Sequence, residues 1–258
     1  MEVIAIPSFN RASTLNKKTL NYLKETKIPI YVFLANMKEF ENYKKEITKK
    51  NITYVITHTR GLGNKRSVMK KYFYNLKKEI KLLMLDDDIY HLLRKKDKNC
   101  INTPVEDLFK CGFEALKETN LRYFGLSLYT NPFYMKEKIT TNLTKISGGC
   151  NGEWIIPDEN RTIPQTHLNH FEDVDFCIQY YLRDCGVASL RDWGLKTDLE
   201  WWKGTEGGCS DADGGYEKRI ATANPNADYM ISLYGTNIVK KVEKEWGIEL
   251  KLNSRHKF

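Results

Sequence analysis

The stretch Leu82-Leu83-Met84-Leu85-Asp86-Asp87-Asp88 runs from four apolar residues straight into three carboxylates. A short run that is apolar at every position reads as a strand buried on both faces. Parallel sheets supply that setting, because helices cover each side. In open α/β sheets the binding site lies beyond the carboxyl ends of such strands, and that is where the aspartates fall. Three adjacent carboxylates repel one another and are hard to keep ionised without a cation. Their hard oxygen ligands suit Mg²⁺ or Mn²⁺, and a diphosphate would complete the shell. In an extended segment Asp86 and Asp88 point one way and Asp87 the other. The blander reading is a solvated turn with helix-capping aspartates, but the apolar strand directly before it favours the metal.

Outward from this strand, β-rich runs alternate with helical stretches. Residues 3–7, 28–36, 52–57 and 81–85 read as strands, and 13–26, 38–50 and 64–79 as helices. Leu15, Leu20 and Leu23 are available for the inner face of the first helix, and Val68, Tyr72 and Leu76 recur every four residues on the third. This β-α-β-α-β-α-β order predicts an α/β fold with a mostly parallel sheet covered on both faces. Thr103-Pro104-Val105-Glu106 carries two helix-start signals, a capping box and a proline suited to the first helical position. That helix should run to about 118, followed by a strand at 122–129. The pattern loosens over 130–170, where 155–157 is a strand candidate. A helix at 172–185 stopped by Gly186, a strand at 187–190, a mobile Gly/Ser/Asp-rich loop at 203–216 and a helix within 227–246 ending at Gly247 complete the expectation.

The chain has 258 residues, enough for one sizeable core, so a single domain spanning 1–258 is expected. No apolar run approaches the roughly 20 residues that span a bilayer. Residues 1–7 read as a buried strand rather than a signal peptide. The six cysteines include no Cys-x-x-Cys pair, so free thiols in a cytoplasmic setting are expected. Residues 1–100 carry 22 Lys and Arg against 10 Asp and Glu, a net +12, whereas residues 101–258 carry 19 against 23, a net −4. A basic front half suits a polyanionic partner: nucleic acid, a nucleotide or an anionic surface. Lysines that merely solvate helices would give the same count.

Three further constellations carry potential chemistry. Pro7-Ser8-Phe9-Asn10-Arg11 closes the first strand with donors for a base, ribose or phosphate, although an ordinary strand-to-helix turn reads the same way. Arg60-Gly61-Leu62-Gly63-Asn64-Lys65-Arg66 frees the backbone at a helix amino terminus and adds full positive charges. It is neither a dinucleotide fingerprint nor a Walker loop. Phe171-Glu172-Asp173-Val174-Asp175-Phe176 opens a helix whose dipole keeps carboxylates ionised. Such a carboxylate could take a proton from an acceptor hydroxyl, or could simply cap the helix.

Taken in this order, the four segments resemble the GT-A glycosyltransferases, family-2-like members in particular. Those open on a Pro-x-Tyr/Phe-Asn-Arg strand end, carry a basic Gly-containing segment near the third strand, end the donor half on an Asp-x-Asp motif, and later place a Glu-Asp pair at a helix start. A narrower likeness is to the phage and kinetoplastid DNA-base glycosyltransferases linked to oxidised pyrimidines, the base J glucosyltransferase type. It rests on the Arg60–Arg66 segment, on Met84 to Ile89 and on Phe171 to Phe176.

The resemblance implies a GT-A fold: a Rossmann-like sheet with a C-terminal acceptor-side elaboration, residues 1–95 holding the donor and 96–258 the acceptor. It implies a UDP-linked sugar as donor, Mn²⁺ or Mg²⁺ on Asp86 and Asp88, and transfer to a hydroxymethyl pyrimidine in DNA with inversion. Pro7, Ser8, Asn10, Arg11 and Asp87 would line the nucleoside pocket, with Lys65 and Arg66 near base or phosphates. Asp173 would be the base and Asp175 its fallback. Many GT-A enzymes add a late metal-binding histidine; His256, His170 and His167 are available, none in a matching context. If phage-encoded, the enzyme would work in the host cytoplasm. Trp193 to Trp202 and residues 204–216 could form an acceptor surface, since aromatics among Lys and Arg suit an extruded base; core packing is the competing role for Trp193 and Trp201. Two other classes stay open: a GT-A enzyme acting on polysaccharide, lipid or protein, and a metal-dependent nuclease or nucleotidyltransferase.

Overall fold

The computed structural model describes residues 1–258 except 50, 158–160, 198–206, 213, 246 and 258. The first half follows the predicted alternation: β1 (Glu2–Pro7), α1 (Ala12–Lys17), α2 (Thr19–Tyr22), β2 (Ile30–Leu34), α3 (Met37–Glu46), β3 (Ile52–Ile56), α4 (Leu62–Asn75) and β4 (Ile80–Leu85). These four strands are parallel neighbours in the order β3-β2-β1-β4. Period two divides their side chains between two cores. Val3, Ala5, Leu82 and Met84 pack on one face with Met69 and Phe73 of α4, whereas Ile4, Ile6, Leu83 and Leu85 pack on the other with Leu15, Leu20 and Tyr43. All the strand carboxyl ends therefore open on one edge of the sheet.

The second half continues with β5 (His91–Lys96), β6 (Asn99–Thr103), α5 (Val105–Thr119), β7 (Tyr123–Leu126), β8 (Ile139–Thr140), β9 (Cys150–Ile155), α6 (Glu172–Asp184), β10 (Ala188–Leu190), β11 (Trp193–Lys196), α7 (Gly208–Ala212), α8 (Tyr216–Ala221), α9 (Ala223–Tyr234), β12 (Val239–Lys244) and β13 (Gly247–Leu252). Among the described residues the main sheet has eight strands, β3-β2-β1-β4-β9-β7-β10-β8. β9 lies antiparallel between β4 and β7, and β7 pairs in parallel with β10. A smaller sheet, β11-β5-β6, stands beside the aspartate turn. This is the expected α/β architecture, a large, mainly parallel sheet flanked by helices. Among the described residues no helix is long and apolar enough to cross a membrane.

Several local expectations change. The first helix breaks at Lys18, and buried Thr19 turns its hydroxyl to the aspartate turn. Thr103 does not cap α5: its hydroxyl faces the Ile101 carbonyl and Pro104 takes the N-cap place. The strand expected at 155–157 lies earlier, at 150–155. Its inward Asn151 and Glu153 hid the apolar pattern, because Glu153 is buried against Lys70. Left-handed Cys185, not Gly186, ends α6. Helix replaces part of the predicted loop, and the helix expected within 227–246 is present as α9 but ends at Tyr234, with Val239–Lys244 forming the first strand of the β12–β13 hairpin. Ile248-Glu249-Leu250-Lys251-Leu252 alternates with period two, which a helix cannot place on one face.

Candidate active site

A cleft of about 240 Å³ opens at the carboxyl edge, lined by residues from all four singled-out segments: Pro7, Ser8 and Arg11; Gly61, Lys65 and Arg66; Asp86, Asp87 and Asp88; and Glu172. Segments up to 165 residues apart in sequence are thus brought together. A larger hollow of about 630 Å³ between the β5–β6 hairpin and α5 contains none of them.

The strand-end loop is clamped from below. Ser8 Oγ donates to Asp87 Oδ2 at 2.5 Å and lies 2.7 Å from Tyr43 Oη, which also accepts from the Arg11 backbone at 2.9 Å. With the Ser8 proton given to Asp87, Tyr43 donates to Ser8. Glu39 accepts from the backbone of Ala35 and of Asn10. Asn10 itself is exposed with φ 53°, contributes backbone to this clamp, and does not line the cleft. Lys65 is buried, with Nζ 2.5 Å from the Ser8 carbonyl and 5.5 Å from the Phe9 ring. Gly63 lets the start of α4 pack on the Leu168 backbone: a Cβ there would meet the Leu168 carbonyl oxygen at 1.8 Å.

The three aspartates do not alternate as an extended segment would. β4 ends at Leu85 and the chain turns, so Asp87 and Asp88 share Arg11 (3.3 and 3.4 Å) while Asp86 faces Arg66 at 2.6 Å. Thr19 Oγ1 fastens the turn by donating to the Asp86 carbonyl and accepting from Ile89 N. Burial pushes the Asp88 carboxyl up to about 7, reinforced by Asp86 and Asp87 and opposed by Arg11. Burial also raises Asp87, against the pull of Arg11 and Ser8. A cation would relieve this crowding. Mg²⁺ and Mn²⁺ commonly take one or two protein carboxylates and fill the shell with phosphate and water, so Asp86 and Asp88 fit such an ion. Among the described residues no third His, Cys, Asp or Glu joins them.

The histidines lie elsewhere. The His256 ring sits against Tyr181, 3.2 Å from its hydroxyl, more than two turns along α6 from Glu172. His170 packs on Phe171, and His167 on Tyr229. Asp175 is buried and accepts from Tyr234 Oη, so it points toward α9 and not into the cleft. Asp173 is half-buried and does not itself line the cleft; it lies behind Gly148, where a built Cβ would be 3.2 Å from Asp173 Oδ2. Gly148 lines the cleft, and its carbonyl accepts from Arg66 Nη2 at 2.7 Å.

Several contributors were not named from sequence. Glu172, buried and bonded to Arg66 at 2.9 Å, is pushed up to about 7 by burial. Gly148 and Gly149 form the floor, and Gly208, Ala212 and Arg219 line the cleft from α7 and α8. Glu172 was legible beside Asp173 in the helix-start motif. Nothing distinguishes Arg219 from other basic residues in the sequence. Of the proposed acceptor surface, Trp193 is core, whereas Trp201 and Trp202 lie outside the described residues.

Such a fold with this cleft is that of a GT-A glycosyltransferase. Residues 3–194 match the family described as TET-Associated Glycosyltransferase, and the chain belongs to that family. No curated protein matches the chain. Among solved structures, the crystal structure of S. aureus TarS 1–349 in complex with UDP-GlcNAc superposes with TM-score 0.52 at 16% identity, covering 89% of this chain and 66% of that one. The S. aureus TarS crystal structure gives TM-score 0.50 at 16% identity, with 89% and 39% covered. A putative nucleotide-diphospho-sugar transferase from Desulfovibrio desulfuricans G20 gives 0.42 at 10%, with 90% and 97% covered. The chain thus spans just under two thirds of the TarS 1–349 structure.

Proposed function

We propose that this glycosyltransferase moves a sugar from a UDP-linked donor to a hydroxymethyl pyrimidine in DNA. The observation that carries the donor half is the convergence of Ser8, Arg11, Lys65, Arg66 and the three aspartates on one cleft. UDP-GlcNAc in the TarS complex and the family membership support a nucleotide-sugar donor. The basic front half and the narrower resemblance support the DNA acceptor. In this reading residues 1–95 hold the donor and 96–258 the acceptor, and the enzyme works in the cytoplasm.

Pro7, Ser8, Arg11 and Asp87 hold the nucleoside, and Lys65 and Arg66 contribute positive charge beside the diphosphate. Asp86 and Asp88 would hold Mn²⁺ or Mg²⁺, which neutralises charge on the departing diphosphate. Asp173, across the floor, takes the proton of the acceptor hydroxymethyl group. The freed oxygen bonds to the anomeric carbon as the bond from that carbon to the diphosphate oxygen breaks, and its electron pair leaves with the UDP. One in-line displacement inverts the anomeric centre.

The test is a mass measurement. DNA carrying 5-hydroxymethyluracil or 5-hydroxymethylcytosine should gain a hexose or pentose mass from a nucleotide-sugar panel, and unmodified DNA of the same sequence should not. Labelling of a saccharide, lipid or protein acceptor with neither modified DNA labelled would leave the donor chemistry standing and discard the DNA acceptor.

A further inference from the structure

The β7–β8 connection is a second feature of the same sheet edge. It leaves β7 at its carboxyl end and carries Leu128, Tyr129, Phe133 and Tyr134, all exposed, Phe133 at 83%. The rings form a platform: Tyr129 and Tyr134 are 5.5 Å apart, and Phe133 stands edge-on to Tyr134 at 5.1 Å. Exposed apolar residues scattered singly need no explanation, but clustered rings mark a contact surface. Beside them lies a groove of about 240 Å³ whose walls include Leu128, Tyr129, Thr144, Lys145, Arg191 and Lys251, with Glu249 its one acid among the described lining residues. Arg191 Nε and Thr144 Oγ1 are buried there with no hydrogen-bond partner among the described residues. Unsatisfied buried polar atoms are uncommon in native proteins.

The groove leads to the transfer site. Lys145 and Gly148 are three residues apart, roughly 11 Å at most. Thr144 accepts from Cys177 Sγ at 3.1 Å, and Cys177 is one turn of α6 beyond Asp173, on the same face. From the other side, Gly194 packs against the Tyr129 carbonyl, while Leu195 reaches Gly149 beside Asp86.

We infer that this surface binds the acceptor strand, bases stacking on Tyr129, Phe133 and Tyr134 and phosphates held by Lys145, Arg191 and Lys251. The inference rests on the DNA reading above. Stacking on aromatic rings beside a basic groove is how single-stranded nucleic acid is held without sequence preference. A lipid surface also accepts aromatics and lysines, but a flat bilayer does not follow a groove walled by Lys145, Arg191 and Lys251, whereas a strand backbone does.

The test uses the full chain and a fluorescein-labelled DNA strand of roughly 12 nucleotides, within the usual site sizes, bearing one 5-hydroxymethyluracil. Anisotropy should show Phe133→Ala/Tyr134→Ala binding at least about fivefold more weakly per ring. Lys145→Gln/Lys251→Gln should lower the slope of log K against log salt by about 0.7 per charge. UDP affinity, measured in parallel, reports that each variant is folded. Wild-type binding by both folded variants, with wild type still modifying DNA, overturns the surface and leaves the DNA reading intact. A wild type that binds no DNA but binds phosphatidylserine vesicles through the same residues overturns both.

Discussion

Arg66 Nη1 donates to Glu172 Oε1 at 2.9 Å across 106 residues of sequence, and the same guanidinium reaches Asp86 at 2.6 Å. One side chain therefore ties Asp86 of the front half to the first turn of α6, where Asp173 sits. Burial raises Glu172 to about 7 despite Arg66. Between the unfolded value near 4.3 and about 7, the folded state holds a proton that the unfolded state has lost. Stability from this group is thus fully present below about pH 4.3, declines as pH rises to about 7, and is constant above. Relative to Glu172→Gln, wild type should lose roughly 3 kcal/mol over that window. Thermal melts of both proteins from pH 4 to 8 check this, and parallel curves would refute it.

A second buried pair underlies the sheet. Lys70 Nζ lies 2.8 Å from both Glu153 Oε2 and Tyr180 Oη, and burial pushes its ammonium below the usual range. Lys70→Met leaves the Glu153 carboxylate buried with the tyrosine hydroxyls of Tyr74 and Tyr180 beside it and no counter-charge from Lys70, and should cost about 3–5 kcal/mol. Lys70→Met/Glu153→Leu should recover much of that, because no charge is left uncompensated. Urea denaturation of the single and double variants decides it; additive losses would mean that the two residues are not coupled.

The first half is legible because its strands are mostly apolar and break off at their ends, so both element and site edge are marked at Pro7 and Asp86. The second half hid its signals. Glu153 and Asn151 face inward on β9, a pattern that apolar periodicity cannot detect. β12 reads as the end of a helix because Val239 and Val242 recur at a helical spacing, and only its pairing with the alternating β13 makes it a strand. The aspartate turn was found, but its pairing was not, since alternation ceases where β4 ends and Arg11 takes two neighbours at once. His256 was proposed as a metal ligand from its lateness in the chain, a criterion with no geometric content.

The metal prediction follows from Asp86 and Asp88. Asp86→Ala or Asp88→Ala should abolish transfer and weaken Mn²⁺-dependent UDP binding, with the fold retained. Removing Asp86 also takes one partner from Arg66, so a melting curve must accompany the titration. Calorimetry of UDP with Mn²⁺ and with chelator tests the assignment. Full activity of both variants in the presence of chelator would sink it.

The last prediction concerns Asp173, the carboxylate beside Gly148 of the cleft lining. Asp175 is bonded to Tyr234 and turned toward α9, and Glu172 is held by Arg66, so Asp173 is the proposed base of this helix start. Asp173→Asn keeps the shape and can still accept from Val174 N, as Asp173 Oδ1 does at 2.9 Å. It removes the proton acceptor and little else. Turnover should fall by roughly 10²–10⁴, the usual scale for losing a general base, while the UDP dissociation constant stays within about twofold. Asp175→Asn should instead leave turnover of the folded fraction near wild type, with thermal stability modestly lower because Tyr234 Oη then donates to an uncharged amide oxygen rather than a carboxylate. If Asp175→Asn loses turnover while folded and Asp173→Asn does not, the base lies at Asp175, and the acceptor must approach from the α9 side of the site rather than across the glycine floor.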